Sequence, residues 1–324
     1  AGCRNCYAMK LAGGRLRNHE SRVGLTGDSA AGPVWNGTVR FNQAWLDQPL
    51  KWKTPLRIFV CAHSDLFHEA VPDDWIETVF QIMDLAPHHT FQVLTKRPDR
   101  MRAFLQDNPC WRMPNLWLGV SVEDQAAADA RIPALMETPA AIRWVSYEPA
   151  LGPVDFSPWV PPVDATWVDG DVSSETIRRL LFAAARGARH RDPVPVPGID
   201  WIVAGGESGP RARPASPDWY RAARDVCARG AVPFFFKQWG RWMVGVETAT
   251  NRYGLPLVYG DGARFDVASD GDDIMLSAAQ DHRGAPKRIW REYWASGDGR
   301  LLRRAAKSDA LPALDGYRHG EFPA

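Results

Sequence analysis

Six short apolar runs, each closing on polar residues, constrain this chain more than any other feature. They are Leu56–His63, Thr90–Thr95, Leu116–Ser121, Ile142–Ser146, Ile199–Gly205 and Val232–Lys237. Continuous β-branched and aromatic runs of this length suit strands buried on both faces. Helix-compatible segments lie between most of them. Asp73–Leu85 carries Trp75, Ile76, Val79, Phe80 and Met83 as one apolar stripe. Pro98–Gln106 follows the second run and Asp124–Met136 the third. Pro217–Arg229 follows the fifth, with Pro217 as a start signal and Gly230 as a stop. Strand–helix alternation predicts a parallel sheet, and this many units predict an α/β fold of TIM-barrel-like (β/α) type, complete or partial.

Two stretches break the alternation. Residues 156–198 are rich in proline and arginine and are expected to form an insertion or lid, with a helical piece at Ser174–Arg186. Residues 246–324 are charged and contain many glycines. They are expected to form an irregular C-terminal extension packing on a barrel domain that spans residues 1–245.

In parallel α/β folds, ligands bind beyond the carboxyl ends of the strands. The residues just after each run are therefore the candidate site. They include His63, Ser64, Asp65 and His68, then Lys96 and Arg97, then Ser121 and Glu123. Glu148, the loop Gly205-Gly206-Glu207-Ser208, and Lys237, Gln238 and Trp239 complete the ring. Strand ends are also polar simply because they meet water, and buried carboxylates beside lysines can be structural ion pairs. Lys96 and Arg97 could hold a carboxylate or phosphate. His68 could move a proton or cap the following helix. In an enzyme without metal, Glu148 and His68 would serve as acid and base, with Glu123 as a further catalytic candidate.

The run Gly2-Cys3-Arg4-Asn5-Cys6-Tyr7-Ala8 carries a close cysteine pair. Zinc knuckles use such a pair but need a second Cys/His pair. Redox dithiols use it after a strand. Iron–sulfur clusters need three or four thiolates. Cys3 and Cys6 supply two, and a third is expected upstream of Ala1. The remaining cysteines, Cys61, Cys110 and Cys227, read as structural.

Composition narrows the classes further. The 324 residues carry a net charge of +1, so no global field attracts nucleic acid, although a local basic patch could. No apolar stretch nears the roughly 20 residues that span a bilayer, and no secretory signal opens the chain. A cytoplasmic location and no membrane partner are expected.

The motifs GCRNCYA, SDLFHEAVPDDW, FQVLTKRPDRM, LWLGVSVEDQ, VSYEPALGPVDF, WIVAGGESGPRARP and FFFKQWG occur in this order. Together they resemble a phage- and mobile-element-associated three-cysteine-motif family that is related to radical SAM enzymes and carried as a domain of unknown function. The resemblance covers residues 2–155 and 199–243. It resumes at Leu314-Asp315-Gly316 and Glu321-Phe322-Pro323. It implies a TIM-barrel-like fold with a 4Fe–4S cluster on Cys3, Cys6 and a third thiolate. It also implies S-adenosylmethionine in a cleft lined by Gly205, Gly206, Glu207, Ser208, Lys96 and Ser121. Such a protein would generate a 5′-deoxyadenosyl radical that modifies its substrate, with the cofactor carrying the chemistry. The phage association points to nucleic acid or a nucleotide as substrate, and to a partner protein encoded nearby. Lys96, Arg97, Arg211, Arg213 and Lys237 would contact phosphate, and Trp239 would stack a base. The other functional reading is a non-catalytic zinc- or nucleic-acid-binding protein on the same scaffold.

Overall fold

A computed structural model describes residues 5–161, 198–209, 211–244, 266–267, 274–275, 293–295, 301–304 and 322. The N-terminal segment forms a short helix α1 (Tyr7–Gly13) and an antiparallel hairpin, β1 (Thr26–Ser29) with β2 (Gly32–Trp35). Two single-turn helices follow, α2 (Gln43–Leu46) and α3 (Gln48–Lys51). The main sheet then begins. Its strands are β3 (Arg57–Val60), β4 (Thr90–Thr95), β5 (Leu116–Ser121), β6 (Ile142–Tyr147), β7 (Trp201–Gly205) and β8 (Phe234–Gln238). All are parallel and lie side by side in sequence order. Helix α4 (Asp73–Asp84) connects β3 to β4, α5 (Pro98–Asp107) connects β4 to β5, and α6 (Gln125–Glu137) connects β5 to β6. Helix α7 (Pro217–Arg229) connects β7 to β8. The sheet is curled as half a barrel, and its first and last strands, β3 and β8, do not pair with each other.

Helices α4 and α7 form where the sequence has both a start signal and an apolar face. Asp73 and Asp74 occupy the first turn of α4, where the helix dipole favours negative charge. Ile76, Phe80 and Met83 then fall on one buried face. The Asp124 side chain caps α6 by accepting from the Ala127 N–H at 2.9 Å. Ser216 caps α7, Pro217 opens it, and Gly230 ends it.

The strands show why their sequences lack a polar face. Leu116, Leu118 and Val120 of β5 face the helices and join the main core with Ile132 and Leu135 of α6. Trp117, on the other face, joins a second cluster with Trp144, Trp201 and Val203 on the inner side of the curl. Alternate residues thus serve two separate apolar layers. On the inner side, Trp201 lies 5.8 Å from Trp117 and 5.5 Å from Trp144 between ring centroids. The Trp144 N–H donates to the Trp117 carbonyl at 3.4 Å. The indole of Trp144 lies over Gly119, where a β-carbon would stand 2.5 Å from it.

Several sequence expectations need adjustment. The first strand ends at Val60, three residues before His63. Cys61 has φ 54 and turns the chain out of the sheet, so it is not a strand residue. Cys110 is exposed on a 3-10 turn at Pro109–Trp111 rather than packed inside. Cys227 is buried on α7 as expected. The expected helix at Ser174–Arg186 lies outside the described residues. The C-terminal region, expected to be irregular, contributes strands β10 (Asp266–Val267), β11 (Ile274–Met275), β12 (Tyr293–Ala295) and β13 (Leu301–Arg304). β13 also pairs with β9 (Trp242–Val244), just after the main sheet. Phe322 reaches back to the sheet. Its ring lies 5.1 Å from Trp201 and 5.3 Å from Phe235, with the Arg57 guanidinium carbon 4.3 Å above it. Among the described residues, no helix is long and apolar enough to cross a membrane.

Gly119→Ala should force the Trp144 indole to move and destabilise the protein by about 1–3 kcal/mol, seen as a lowered Tm in thermal unfolding. Gly27→Ala, where nothing stands within 4 Å of the new methyl group, should leave Tm within a degree or two of the parent.

Candidate functional site

The carboxyl ends of β3 to β8 form one rim, and four carboxylates organise it. Asp65, in the turn after β3, accepts from the Thr95 hydroxyl at 2.7 Å and from the Lys96 N–H at 3.0 Å. It also accepts from the Arg97 guanidinium at 3.0 Å. The first two strand ends are thereby tied together. Arg97 also donates its Nε to both oxygens of Glu69 at 3.0 Å.

Glu123, after β5, is almost wholly enclosed. Its oxygens pair with the Lys96 ammonium and, at 2.8 Å, with Arg131 of α6. A carboxylate buried this deeply requires both cations. Removing one from such a pair typically costs about 3–5 kcal/mol. Glu148, after β6, reaches over the end of β7 to Lys237 at 3.0 Å and to the Gln238 amide at 3.1 Å. A β-carbon on Gly205 would stand 3.2 Å from its Oε1, so a larger residue there would crowd this crossing.

Glu207 is engaged at both of its oxygens. Arg213 donates its backbone N–H at 2.8 Å, its Nε at 3.0 Å and its Nη2 at 2.7 Å. Asn5 donates its side-chain amide at 3.1 Å, and the same amide reaches the Arg211 carbonyl at 2.8 Å. Burial alone would raise the Glu207 carboxyl pKa. The Arg213 and Asn5 hydrogen bonds outweigh it and hold the group below the ordinary glutamate range.

Asn5 directly precedes Cys6, so Glu207 pins the cysteine loop to the end of β7. Tyr7 ties the other side of the loop to the end of β3. Its hydroxyl donates to the Ala62 carbonyl at 3.4 Å, and its ring meets His63 edge-on at 5.5 Å. The loop therefore spans the rim from the first strand to the fifth. Cys3 lies outside the described residues, and among those described no group of three His, Cys, Asp or Glu is placed to hold a metal. Cys61 stands next to Ala62, and burial pushes its thiol upward in pKa.

The rim thus brings together Lys96, Ser121, Glu123, Glu148, Gly205, Gly206 and Glu207, as the strand-end rule predicts. His68 stands apart from Glu148. Its Nδ1 accepts from the Ala70 N–H at 3.1 Å, and its Nε2 lies 3.7 Å from Glu69, so it braces its own turn. Ser208 is exposed. Gly206 packs against the protein's own backbone. A β-carbon on Gly206 would stand 1.9 Å from the Trp239 carbonyl oxygen. Sequence reasoning missed Asn5, Arg131 and Gln238 as partners of the three glutamates. Asn5 had a visible signal in its place inside the cysteine pair and Gln238 in its place at a strand end, whereas Arg131 had none.

Glu207→Gln offers a direct check on the clasp. A depressed folded pKa contributes stability that is present above the ordinary value near 4.5 and lost as pH falls through the folded value. The variant should be less stable than the parent by about 1 kcal/mol at pH 7, given partial solvent screening. The gap should close as pH drops below 4.5 in denaturant titrations run at stepped pH.

Residues 1–323 match a family model described as a protein of unknown function, DUF5131. No curated protein and no solved structure matches the chain. On a match over nearly its whole length, the chain belongs to the DUF5131 family.

Proposed function

We propose that this protein is a radical-SAM-like iron–sulfur enzyme on a partial TIM-type barrel. One observation carries the reading: the cysteine loop is fastened across the carboxyl rim of a curled parallel sheet, by Asn5 to Glu207 and by Tyr7 to Ala62. Thiolates are the donors such a cluster takes, so the donor chemistry at Cys3 and Cys6 fits, with one further thiolate required. A bound 4Fe–4S cluster with S-adenosylmethionine would supply a 5′-deoxyadenosyl radical for hydrogen abstraction.

The chain's own residues would then divide the remaining work. Glu207, with only 6% of its side chain exposed and its oxygens taken by Arg213 and Asn5, holds the loop. Glu123, at 2%, fixes Lys96 and Arg131. Glu148 is the most open of the three at 19%, and its partner Lys237 is half exposed. That pair is the one placed to meet an incoming amine or carboxylate, or to move a proton. Ser121 and Ser146, on neighbouring strands with paired Cα positions, add hydroxyls beneath the rim.

Anaerobic reconstitution with iron and sulfide tests the proposal. The expected result is thiolate-to-iron charge-transfer absorbance, a low-temperature paramagnetic signal on reduction, and 5′-deoxyadenosine formed from S-adenosylmethionine. Cys6→Ser should abolish all three, while Cys110→Ser should keep them. One zinc per chain with no iron after anaerobic purification would overturn the proposal in favour of a non-catalytic zinc-binding protein.

A further inference from the structure

Phosphate binding requires cations that the protein has not already neutralised. By that measure the rim is poorly suited. Lys96, Arg97, Arg213 and Lys237 each pair with a carboxylate. The N-terminal segment differs. Residues 5–56 hold seven lysines and arginines against three carboxylates. Lys10, Arg15, Arg22, Arg40 and Lys53 have no carboxylate partner among the described residues.

Two of these cations are held without a carboxylate. Arg40 donates to the carbonyls of Glu20 and Val23, each at 2.5 Å. Arg22 donates to the Ser21 carbonyl at 3.0 Å and faces the His63 Nδ1 at 3.2 Å, and its Nε is buried without a partner. Carbonyls orient a guanidinium without cancelling its charge. Aromatic side chains flank it. The Arg22 guanidinium lies 5.8 Å from the Trp45 ring centroid, and His63 meets Tyr7 at 5.5 Å. Tyr7 and Trp45 remain 58% and 38% exposed. The result is a continuous strip, Tyr7–His63–Arg22–Trp45, that starts one residue from Cys6 and leads away from the rim.

We infer that this strip binds single-stranded nucleic acid, with Arg22 and Arg40 meeting phosphates and Trp45 and Tyr7 stacking unpaired bases. Cations interleaved with exposed rings are what sequence-tolerant single-strand binding needs, and stacking on an exposed ring requires a base not already paired within a duplex. An acidic protein would use the charge and leave the rings idle. The inference stands on this face and not on the cluster, so a chain that never takes iron would still bind.

The test is fluorescence anisotropy with a labelled mixed-sequence single-stranded oligonucleotide at several salt concentrations. The same sequence as a duplex, and polyglutamate as competitor, are run alongside. The single strand should bind more tightly than the duplex, polyglutamate should compete weakly, and log K should fall with log salt by about 0.7 per phosphate contacted. Trp45→Ala should weaken binding about tenfold. Arg22→Gln should weaken it and lower the salt slope by about one contact. The chain without iron should bind as the reconstituted chain does, which separates this result from failure of the iron–sulfur reading. Should Arg22→Gln lose its fold by circular dichroism, the exposed pair Trp45→Ala and Tyr7→Ala decides. Salt-independent binding, equal affinity for the duplex, full competition by polyglutamate, or unchanged affinity in the folded variants would overturn the inference.

Discussion

Six parallel strands that follow one another in order must all end on the same rim, and most of this protein's chemistry follows from that constraint. Each strand delivers its next polar residue to a crowded, partly dry edge, where a charge without a partner is costly. The rim answers with reciprocal pairs that each join different elements. Asp65 joins the turn after β3 to β4, Glu123 joins β4 to α6, Glu148 joins β6 to β8, and Glu207 joins β7 to the N-terminal loop. The same groups that make the edge polar therefore hold its geometry.

This dual use explains why the three glutamates are not equivalent although the sequence presents them alike. Each follows a buried strand and each has a basic neighbour in space. They differ in how much of the carboxylate remains uncommitted. Arg213 grips Glu207 through backbone and side chain together, a local arrangement six residues apart. Glu148 relies on partners contributed from two strands away. Glu123, with Lys96 on one oxygen and Arg131 on the other, is as enclosed as Glu207, whereas Glu148 keeps part of its carboxylate facing outward.

Most of the fold was legible. The runs Thr90–Thr95 and Leu116–Ser121 match their strands residue for residue, and Pro217–Arg229 matches its helix, because two-sided burial and capping leave local marks. The first strand was read too long because Cys61 and Ala62 continue its apolar composition, and nothing in composition reports the positive φ at Cys61. The rim residues were legible as a set, since strand ends announce themselves. Their pairings were not. Arg131 lies within a helix whose sequence gives no hint that its side chain turns back to Glu123. The N-terminal strip was invisible for the same reason, since its members stand far apart in sequence and only folding lines them up.

Phe322 carries a consequence for how the open curl is held. Among the described residues, β3 and β8 are the two edges of the main sheet and share no backbone hydrogen bonds. The Phe322 ring lies against Trp201 of β7 and Phe235 of β8 and under the Arg57 guanidinium of β3. One aromatic ring therefore links both edges across the inner side, where a closed barrel would use a ladder. Such a link acts through side chains alone, so a single substitution at Phe322 would separate the two edges without touching any strand pairing.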